Sequence, residues 1–345
     1  MAEKRNITKE DIFLEARLRA EGVRIEVKKE PESGSIYRSI VLDGCDVVVG
    51  TWRNQDSYLV AAIDGEDVAI LDRGEVLATG TLEPHAPWRD ALMDDGTPVG
   101  KAIVATATTS SILWGYRCSI SDSGRGCKYC GIYARPSSDP TIAPSAARKI
   151  TARCVEATAT AMKNGWRGSI IFTGGTPPQA RRNQMTGNIE RAMDQFRELV
   201  DEDLLSQMHI APEAFPPKDL SEMHKWKALG LNGTAYDLQV MDPAYFKAVC
   251  PGRGEQSRWK EAQEAAAEIF GRGRGSSTGI VMGVEPMAGM LEGIEERVSS
   301  GVWPQMYTFM PAPGSPMAGM RPPSAQWFVE ASEKIVDIYL RYADT

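Results

Sequence analysis

The feature that most constrains the fold is a regular alternation of strand-like and helix-like segments after about residue 100. Such alternation is typical of βαβ units around a parallel sheet or barrel. Six strands are predicted, at 111–117, 168–173, 208–211, 234–240, 278–284 and 303–309. Six helices are predicted, at 142–164, 186–202, 217–229, 255–270, 287–300 and 325–342. We therefore predict an α/β fold, a partial (β/α)6 TIM-type barrel.

The N-terminal part of the chain has a different pattern. Residues 8–21 have helical periodicity with Thr8 as N-cap. Between residues 35 and 82, short β-rich runs are separated by Asp-Gly and Arg-Gly turn signals, which predicts a small β-meander. A proline-bearing segment follows at 83–88. We expect an accessory β-rich region over residues 1–99 and the barrel over 100–345.

Composition narrows the functional classes. The apolar fraction of 42% and charged fraction of 25% are ordinary for a globular protein, and no apolar run is long enough to suggest a membrane span. The N-terminus lacks the apolar core of a secretory signal, so we expect the reducing cytoplasm, with thiols free or metal-bound. A net charge of −7 disfavours nucleic acid as a partner.

Three of the six cysteines lie within thirteen residues, on the loop after the first predicted strand. They are Cys118, Cys127 and Cys130, spaced C-x8-C-x2-C. Thiolates on such a loop can ligate three corners of an iron–sulfur cluster, which usually has a cysteine on every iron. The sequence therefore predicts a cluster with one open iron.

A structural zinc site is the main alternative for this triad. Tetrahedral zinc needs four protein ligands, usually in two close pairs. The chain has three histidines, and none is adjacent to the triad in sequence: His85, His209 and His224. A disulfide is disfavoured by the odd number of clustered cysteines and the expected compartment. The scattered Cys45, Cys154 and Cys250 do not suggest a second cluster, although Cys250 could face the cavity.

The triad, a Gly-Gly-Thr turn after the second strand and six βα units together resemble the radical S-adenosylmethionine (radical SAM) superfamily, over residues 100 to 345. The resemblance implies a [4Fe–4S] cluster whose open iron takes the amine and carboxylate of S-adenosylmethionine. It also implies reductive cleavage to methionine and a 5′-deoxyadenosyl radical, which abstracts hydrogen from a small molecule in cofactor or natural-product biosynthesis. The spacing departs from the commoner C-x3-C-x2-C, while Cys127-Lys-Tyr-Cys130 keeps the C-x-aromatic-C form.

The same resemblance implies contacts to S-adenosylmethionine. Tyr129 would pack near the adenine. Gly174, Gly175 and Thr176 would offer backbone carbonyls to the methionine ammonium, because residues without side chains allow close approach. These residues are the expected cofactor loop.

Further contacts follow from similarity to the biotin-synthase-like branch. Gln239, ending strand four, would meet the ribose or methionine, and Arg258, at the start of the next helix, would bind the cofactor carboxylate. Glu213, ending strand three, would serve ligand hydroxyls, and a solvent-facing loop carboxylate is the alternative.

The resemblance further implies a one-electron donor such as flavodoxin or ferredoxin. Two other functions stay open: a noncatalytic iron–sulfur or zinc-stabilised scaffold or electron-transfer protein, and radical modification of RNA or protein. Few histidines and the lack of a Gly-x-Ser-x-Gly elbow disfavour a hydrolase. The substrate is not encoded in any single motif.

Overall fold

The computed structural model describes residues 7–31, 39–43, 48–50, 53–83, 85–106, 108–114, 118–134, 144–177 and 185–342. Contacts divide the chain into two compact units. The first comprises Met1–His85, Thr308–Met310 and Arg321–Lys334. The second comprises Ala86–Tyr307, Pro311–Met320 and Ile335–Thr345.

The chain opens with helix α1, Lys9–Glu21. Its start is fixed by a reciprocal capping box: the Thr8 hydroxyl accepts from the Asp11 N–H at 3.2 Å, and the Asp11 carboxylate accepts from the Thr8 N–H at 2.8 Å. The predicted helix and its N-cap are confirmed.

A six-stranded sheet follows, in the order β1-β4-β5-β6-β2-β3. Its strands are β1 Arg24–Lys29, β2 Ser39–Leu42, β3 Val48–Gly50, β4 Leu59–Asp64, β5 Asp67–Asp72 and β6 Glu75–Leu82. The tight turns before β5 and β6 use Gly65 and Gly74 at positive φ (67° and 94°), as the Asp-Gly and Arg-Gly signals predicted.

The strands within residues 35–82 depart from a simple meander, because β2 pairs with β6 and the sheet order is β4-β5-β6-β2-β3. Outside that range, β1 adds a parallel pairing with β4. Strand β1 was also missed as a strand, since its charged residues are mostly exposed and give little apolar alternation. Part of the predicted β-rich stretch, residues 35–38 and 44–47 with Cys45, lies outside the described residues.

From residue 86 onward, strands and helices alternate. The strands are β7 Val104–Ala105, β8 Thr109–Leu113, β9 Ser169–Thr173, β10 His209–Pro212, β11 Thr234–Ala235, β12 Gly273–Met282 and β13 Val302–Thr308. The helices are α2 Val99–Ala102, α3 Ser119–Asp122, α4 Pro144–Lys163, α5 Met185–Leu199, α6 Glu202–Ser206, α7 Glu222–Ala228, α8 Pro243–Val249, α9 Gln256–Phe270, α10 Met287–Ser299 and α11 Ala325–Arg341. Two 3-10 turns lie at Pro87–Arg89 and Gly131–Ala134. All six predicted strand–helix pairs are present in chain order, with residues 115–117 of the first strand outside the described ranges.

These strands form two open sheets, ordered β10-β9-β8-β7 and β11-β12-β13. The pairs β8–β9, β9–β10 and β11–β12 are parallel, and an isolated parallel bridge joins Glu213, just after β10, to Ala235 in β11. The mixed α/β class is confirmed, whereas both sheets are open among the described strands.

Side chains on β8, β9 and β10 alternate between two faces. Ile112, Ile170 and Ile210 are fully buried on one face. In register on the other face lie the polar residues Thr109, Ser169 and His209. The first face supplies core, and the second lines a cavity.

No helix in the described part of the chain combines the length and apolar character that a membrane crossing requires.

Candidate metal centre and cofactor site

The cysteine loop is a compact folded unit. Cys118 is the N-cap of the single-turn helix α3. The chain then reverses, with the Arg125 N–H donating to the Ile120 carbonyl at 2.9 Å, and the Cys130 N–H donates to the Cys127 carbonyl at 3.0 Å. All three loop cysteines are free and half-buried. The backbone therefore presents three thiols from one short segment.

The loop after β9 is joined to the cysteine loop. The Ser119 N–H, next to Cys118, donates to the Thr176 carbonyl at 2.8 Å, and the Trp114 N–H donates to the Thr173 carbonyl at 3.2 Å. Gly174 has φ of 147°, a conformation that favours glycine. The structure thus brings the predicted Gly-Gly-Thr segment beside the first cysteine.

A third segment, Cys250-Pro-Gly-Arg253 after α8, closes the other side of the cysteine loop. The Lys128 N–H donates to the Val249 carbonyl at 2.9 Å, and the Arg125 guanidinium donates to the Pro251 carbonyl at 2.8 Å. A side chain at Gly252 would collide with Ile120 and the Arg125 backbone, so this approach requires glycine.

This approach gives Cys127 a special environment. Its side chain lies beside those of Cys250, Arg253 and Tyr129. The pKa of Cys127 is lowered to about 6, and the largest cause is hydrogen bonding with Cys250. Burial opposes this shift, and the positive charge of Arg253 adds to it. The same hydrogen bond, together with burial, raises the pKa of Cys250, which stays a thiol. At Cys130, burial raises the pKa of the thiol, and the hydrogen bond with the Ile132 N–H partly opposes that rise.

Arg253 is held rigidly between the thiols and the strand ends. Its guanidinium lies 3.9 Å from the Trp259 ring centroid and donates to the Asp237 carbonyl. The Trp259 indole N–H donates back to the Arg253 carbonyl at 2.9 Å. Burial opposes the charge, but Cys127 and Tyr129 raise the pKa of Arg253 above its usual value. Sequence reasoning missed this residue, and its one signal was its position three residues after Cys250.

Two carboxyl groups meet where β10 and β11 end. Burial, then the neighbouring Asp237, raises the pKa of Glu213 to about 8. The two side chains are hydrogen-bonded to each other, and Asp237 Oδ1 also accepts the Gly279 N–H at 2.6 Å. The raised pKa favours the protonated form of Glu213, which can donate to Asp237. Sequence reasoning proposed Glu213 and missed Asp237.

A cavity of about 320 Å³ runs along the polar face of the strands. Hydroxyl, carboxyl and amide groups dominate its lining, which includes Ser111, Ser169, Glu213, Asp237, Gln305 and Tyr307. The interior of a closed TIM barrel is instead packed with branched apolar residues. The polar lining therefore differs from a packed barrel core.

The remaining predicted contacts fall in two places. Gln239 adopts a strained positive φ of 71°, and its backbone bonds Gly279 and Val281 at 2.8 Å. Arg258 donates to the Pro217 and Lys218 carbonyls at 2.9 and 3.0 Å and pairs with Glu261 at 2.8 Å. These contacts tie Arg258 to the loop after β10. Its role toward the cofactor stays a prediction.

The Tyr129 hydroxyl faces sulfur. The side chain of Tyr129 lies beside those of Cys127 and Cys250. The adenine contact of Tyr129 stays a prediction.

The donor set fits an iron–sulfur cluster. Among the described residues, no three His, Cys, Asp or Glu side chains are grouped as a single metal ion needs. A [4Fe–4S] cluster requires ligands that are spaced more widely, because each thiolate binds a different iron. Three free thiols on one loop, with a glycine-rich loop beside them, meet that requirement.

Comparison with known proteins begins with the fold. No family model matches the chain. Among solved structures, the chain is similar to the FeFe-hydrogenase maturase HydG from Carboxydothermus hydrogenoformans, with a TM-score of 0.50 and 15% identity over 68% of this chain. The match spans 52% of that maturase, about half its length, and shows the fold alone.

A full-length relative places the chain more closely. It is 40% identical over 354 residues to the bacteriochlorophyllide c C-7(1)-hydroxylase of Chlorobaculum limnaeum, covering 100% of this chain and 88% of that protein. The chain belongs to the radical SAM superfamily, in the family of this hydroxylase. It is an enzyme, and its cofactors are a [4Fe–4S] cluster and S-adenosylmethionine.

Proposed function

We propose that this enzyme removes a hydrogen atom from a carbon of a bacteriochlorophyllide-type small molecule, that the resulting carbon radical gives one further electron to a one-electron acceptor, and that water then adds with loss of a proton, so that the C–H bond becomes a C–OH group. When bound, the cluster and S-adenosylmethionine supply a 5′-deoxyadenosyl radical and methionine by reductive cleavage. The substrate class follows the relative, whose name gives bacteriochlorophyllide c and hydroxylation. The sequence alone indicated only a small-molecule substrate in cofactor or natural-product biosynthesis.

The observation that carries the proposal is the bond between the two loops that would hold the cofactors. The Ser119 N–H to Thr176 carbonyl bond of 2.8 Å fixes the glycine-rich loop next to the thiol loop. A cofactor bound to an open iron and to exposed backbone carbonyls needs this proximity. We propose Cys118, Cys127 and Cys130 as the cluster ligands and Gly174, Gly175 and Thr176 as contacts of the methionine part.

The carboxyl pair supports a role in binding hydroxyl groups. A neutral Glu213 can both donate and accept a hydrogen bond, and the Asp237 carboxylate can accept one. Both line the cavity. We propose that Glu213 orients ligand hydroxyls, with Gln239 from the adjacent strand end. Arg258 and Tyr129 are proposed to bind the cofactor carboxylate and adenine.

The architecture around the site is part of the proposal. We propose that the two open sheets, linked at Glu213 and Ala235, act as the partial (β/α)6 barrel over residues 100–345, with residues 1–99 as an accessory region. Five described cysteines are free, which suits a reducing compartment such as the cytoplasm. A flavodoxin or ferredoxin is the proposed electron donor.

The test is turnover by anaerobically reconstituted enzyme. The protein is incubated with S-adenosylmethionine, dithionite and bacteriochlorophyllide c, and products are followed by mass spectrometry. We expect 5′-deoxyadenosine together with a pigment heavier by one oxygen atom, and neither product with Cys130→Ala. Formation of 5′-deoxyadenosine with an unchanged pigment would reject the substrate class, and loss of both products in the wild type would reject the proposed function.

A further inference from the structure

We propose that the polar cavity along the strands supplies the water whose oxygen becomes the new hydroxyl group, and that the Asp237 carboxylate takes the proton that this water loses. The inference deepens the proposed function and rests on it. Hydroxylation by water needs a water molecule next to the oxidised carbon and a group that accepts its proton. The cavity and Asp237 offer both at the carboxyl ends of the strands.

The cavity runs along the length of the strands. Its lining on β10 includes His209, the first residue of that strand, and Glu213, just after its end. Four residues of strand span about 13 Å, at ~3.3 Å per residue. The cavity is therefore a column that joins the two ends of the strands. Alternate residues of other strands line it as well, namely Thr109 and Ser111 in β8 and Trp303, Gln305 and Tyr307 in β13.

Hydrogen-bonding groups line the whole column. At its amino end, Thr109, Ser169 and His209 are in register on three neighbouring strands. An ordered water needs two to four polar partners, and 320 Å³ holds on the order of ten waters at ~30 Å³ each. The tetrapyrrole ring of the proposed substrate exceeds this volume, whereas a chain of waters fits both its size and its polarity. The rest of the lining adds Ser111, Ser277, Gln305, Glu213, Asp237 and Tyr307.

Solvent reaches the column along β13 and at its amino end. Trp303 and Tyr307 are 45% and 51% exposed, and Arg274 near the start of β12 is also exposed. All three line the cavity. In the described part of the chain, water therefore has an entrance that does not pass the cofactor loops.

Asp237 is held firmly at the carboxyl end. It is 7% exposed, and its Oδ1 accepts the Gly279 N–H at 2.6 Å. A Cβ atom at position 279 would lie 2.9 Å from Asp237 Oδ1 and 3.0 Å from Tyr307 Cε2, so glycine is required where these two side chains meet. The Arg253 guanidinium donates to the Asp237 carbonyl and fixes the backbone. A carboxylate held through one oxygen has a second oxygen for a proton.

This end of the column lies beside the proposed cofactor loops. The Glu213 N–H donates at 2.8 Å to the carbonyl of Phe172, two residues before Gly174. Arg253 belongs to the segment that closes the cysteine loop. The pigment cation, left after loss of a hydrogen atom and an electron, takes the water oxygen. The proton of that water goes to Asp237 and leaves through the waters of the column.

The experiment is turnover in H₂¹⁸O by reconstituted enzyme with S-adenosylmethionine, dithionite and bacteriochlorophyllide c. Mass spectrometry gives the ¹⁸O content of the pigment and the ratio of hydroxylated pigment to 5′-deoxyadenosine. We expect ¹⁸O in the wild-type product. Asp237→Asn keeps the acceptor for Gly279 but takes no proton, so the ratio should fall about 10²-fold or more while 5′-deoxyadenosine still forms.

A matched pair of variants tests the column. Ser111→Val and Ser111→Thr have the same shape and differ by one hydroxyl group, so the valine variant should lower the ratio and the threonine variant should retain more of it. Asp203→Asn, at an exposed carboxylate of α6, is the control and should keep the wild-type ratio.

The outcomes separate this inference from the proposed function. Wild-type enzyme that forms no hydroxylated pigment would reject the proposed function. Hydroxylated pigment without ¹⁸O would overturn the water source. A cluster-loaded Asp237→Asn enzyme with the wild-type ratio, or equal ratios for the two Ser111 variants, would overturn this inference alone. If Asp237→Asn fails to fold, the Ser111 pair decides.

Discussion

The two compact units differ in what they bury. The first has a core of aliphatic side chains, among them Leu18 and Ile70, and its buried Ser57 is satisfied by a 2.8 Å bond to the Gly22 carbonyl. The second buries Asp237, packs the Arg253 guanidinium against the Trp259 ring and places Glu213 beside Asp237. Burying charged groups is costly unless they are paired. In the second unit, these buried polar groups lie where we place the ligands. Substitutions there should therefore alter the enzyme's activity, whereas substitutions in the core of the first unit should alter the free energy of unfolding.

The largest expected effect is loss of the cluster. Cys118→Ala, Cys127→Ala or Cys130→Ala each removes one iron ligand, and we expect 5′-deoxyadenosine formation to fall to background. Iron and sulfide analysis beside product assay checks this. Cys154→Ala is the matched control and should keep its cluster. Turnover retained by any one triad variant would remove that cysteine from the ligand set.

The first unit is probed through its core. Leu18 is fully buried, so Leu18→Ala should lower the free energy of unfolding by about 2–5 kcal/mol. Urea unfolding measures the change, while iron content per folded protein should stay constant. Leu77→Ala, at a side chain 45% exposed, should change stability by less than about 0.5 kcal/mol. Equal effects of the two variants would contradict the assigned core.

The carboxyl pair predicts a pH dependence. Because the pKa of Glu213 is raised to about 8 in the folded protein, the folded state holds a proton that the unfolded state releases near its usual pKa of 4.5. Stability should therefore fall as pH rises from about 4.5 to about 8. Glu213→Gln should remove this dependence and stabilise the protein by about 2 kcal/mol at alkaline pH.

Urea unfolding at several pH values tests this dependence. Glu198→Gln, on the exposed side of α5, serves as the control and should follow the wild type. A Glu213→Gln variant with the wild-type pH dependence would show that Glu213 ionises normally.

The smallest effect concerns Arg258. If its guanidinium binds the cofactor carboxylate, Arg258→Ala should weaken S-adenosylmethionine binding about tenfold, or about 1.4 kcal/mol, and leave the cluster intact. Calorimetry on reconstituted protein measures this. Arg197→Ala removes a guanidinium that likewise bonds a loop carbonyl, that of Leu229, and should not change the affinity. An unchanged dissociation constant for Arg258→Ala would confine Arg258 to holding the loop after β10.

The sequence predicted the second unit well because its signals are local. Periodicity and glycine stops each act within a few residues, so most strands and helices appear close to their expected bounds. The exceptions are β11, which is shorter than predicted, and β12, which begins at Gly273 rather than at residue 278. The parallel pairing of β1 with β4 was missed because it joins residues more than thirty apart through a charged, exposed strand. Open sheets rather than a closed barrel likewise depend on long-range pairing.

The site shows the same limit. The three cysteines and the Gly-Gly-Thr loop could be found because each is a short motif after a strand. Arg253, Asp237 and the position of Cys250 could not be found, because the fold brings the end of α8 against the cysteine loop and Arg253 against the Asp237 carbonyl. Spacing in the chain carries no signal of such contacts.

The central claim is that three thiolates hold a [4Fe–4S] cluster with one iron left for S-adenosylmethionine. The most direct measurement is the EPR spectrum of anaerobically reconstituted, dithionite-reduced protein with and without S-adenosylmethionine. We predict a reduced [4Fe–4S] signal that changes when S-adenosylmethionine is added. A protein without that signal, or one whose signal stays the same at saturating S-adenosylmethionine, would contradict the claim.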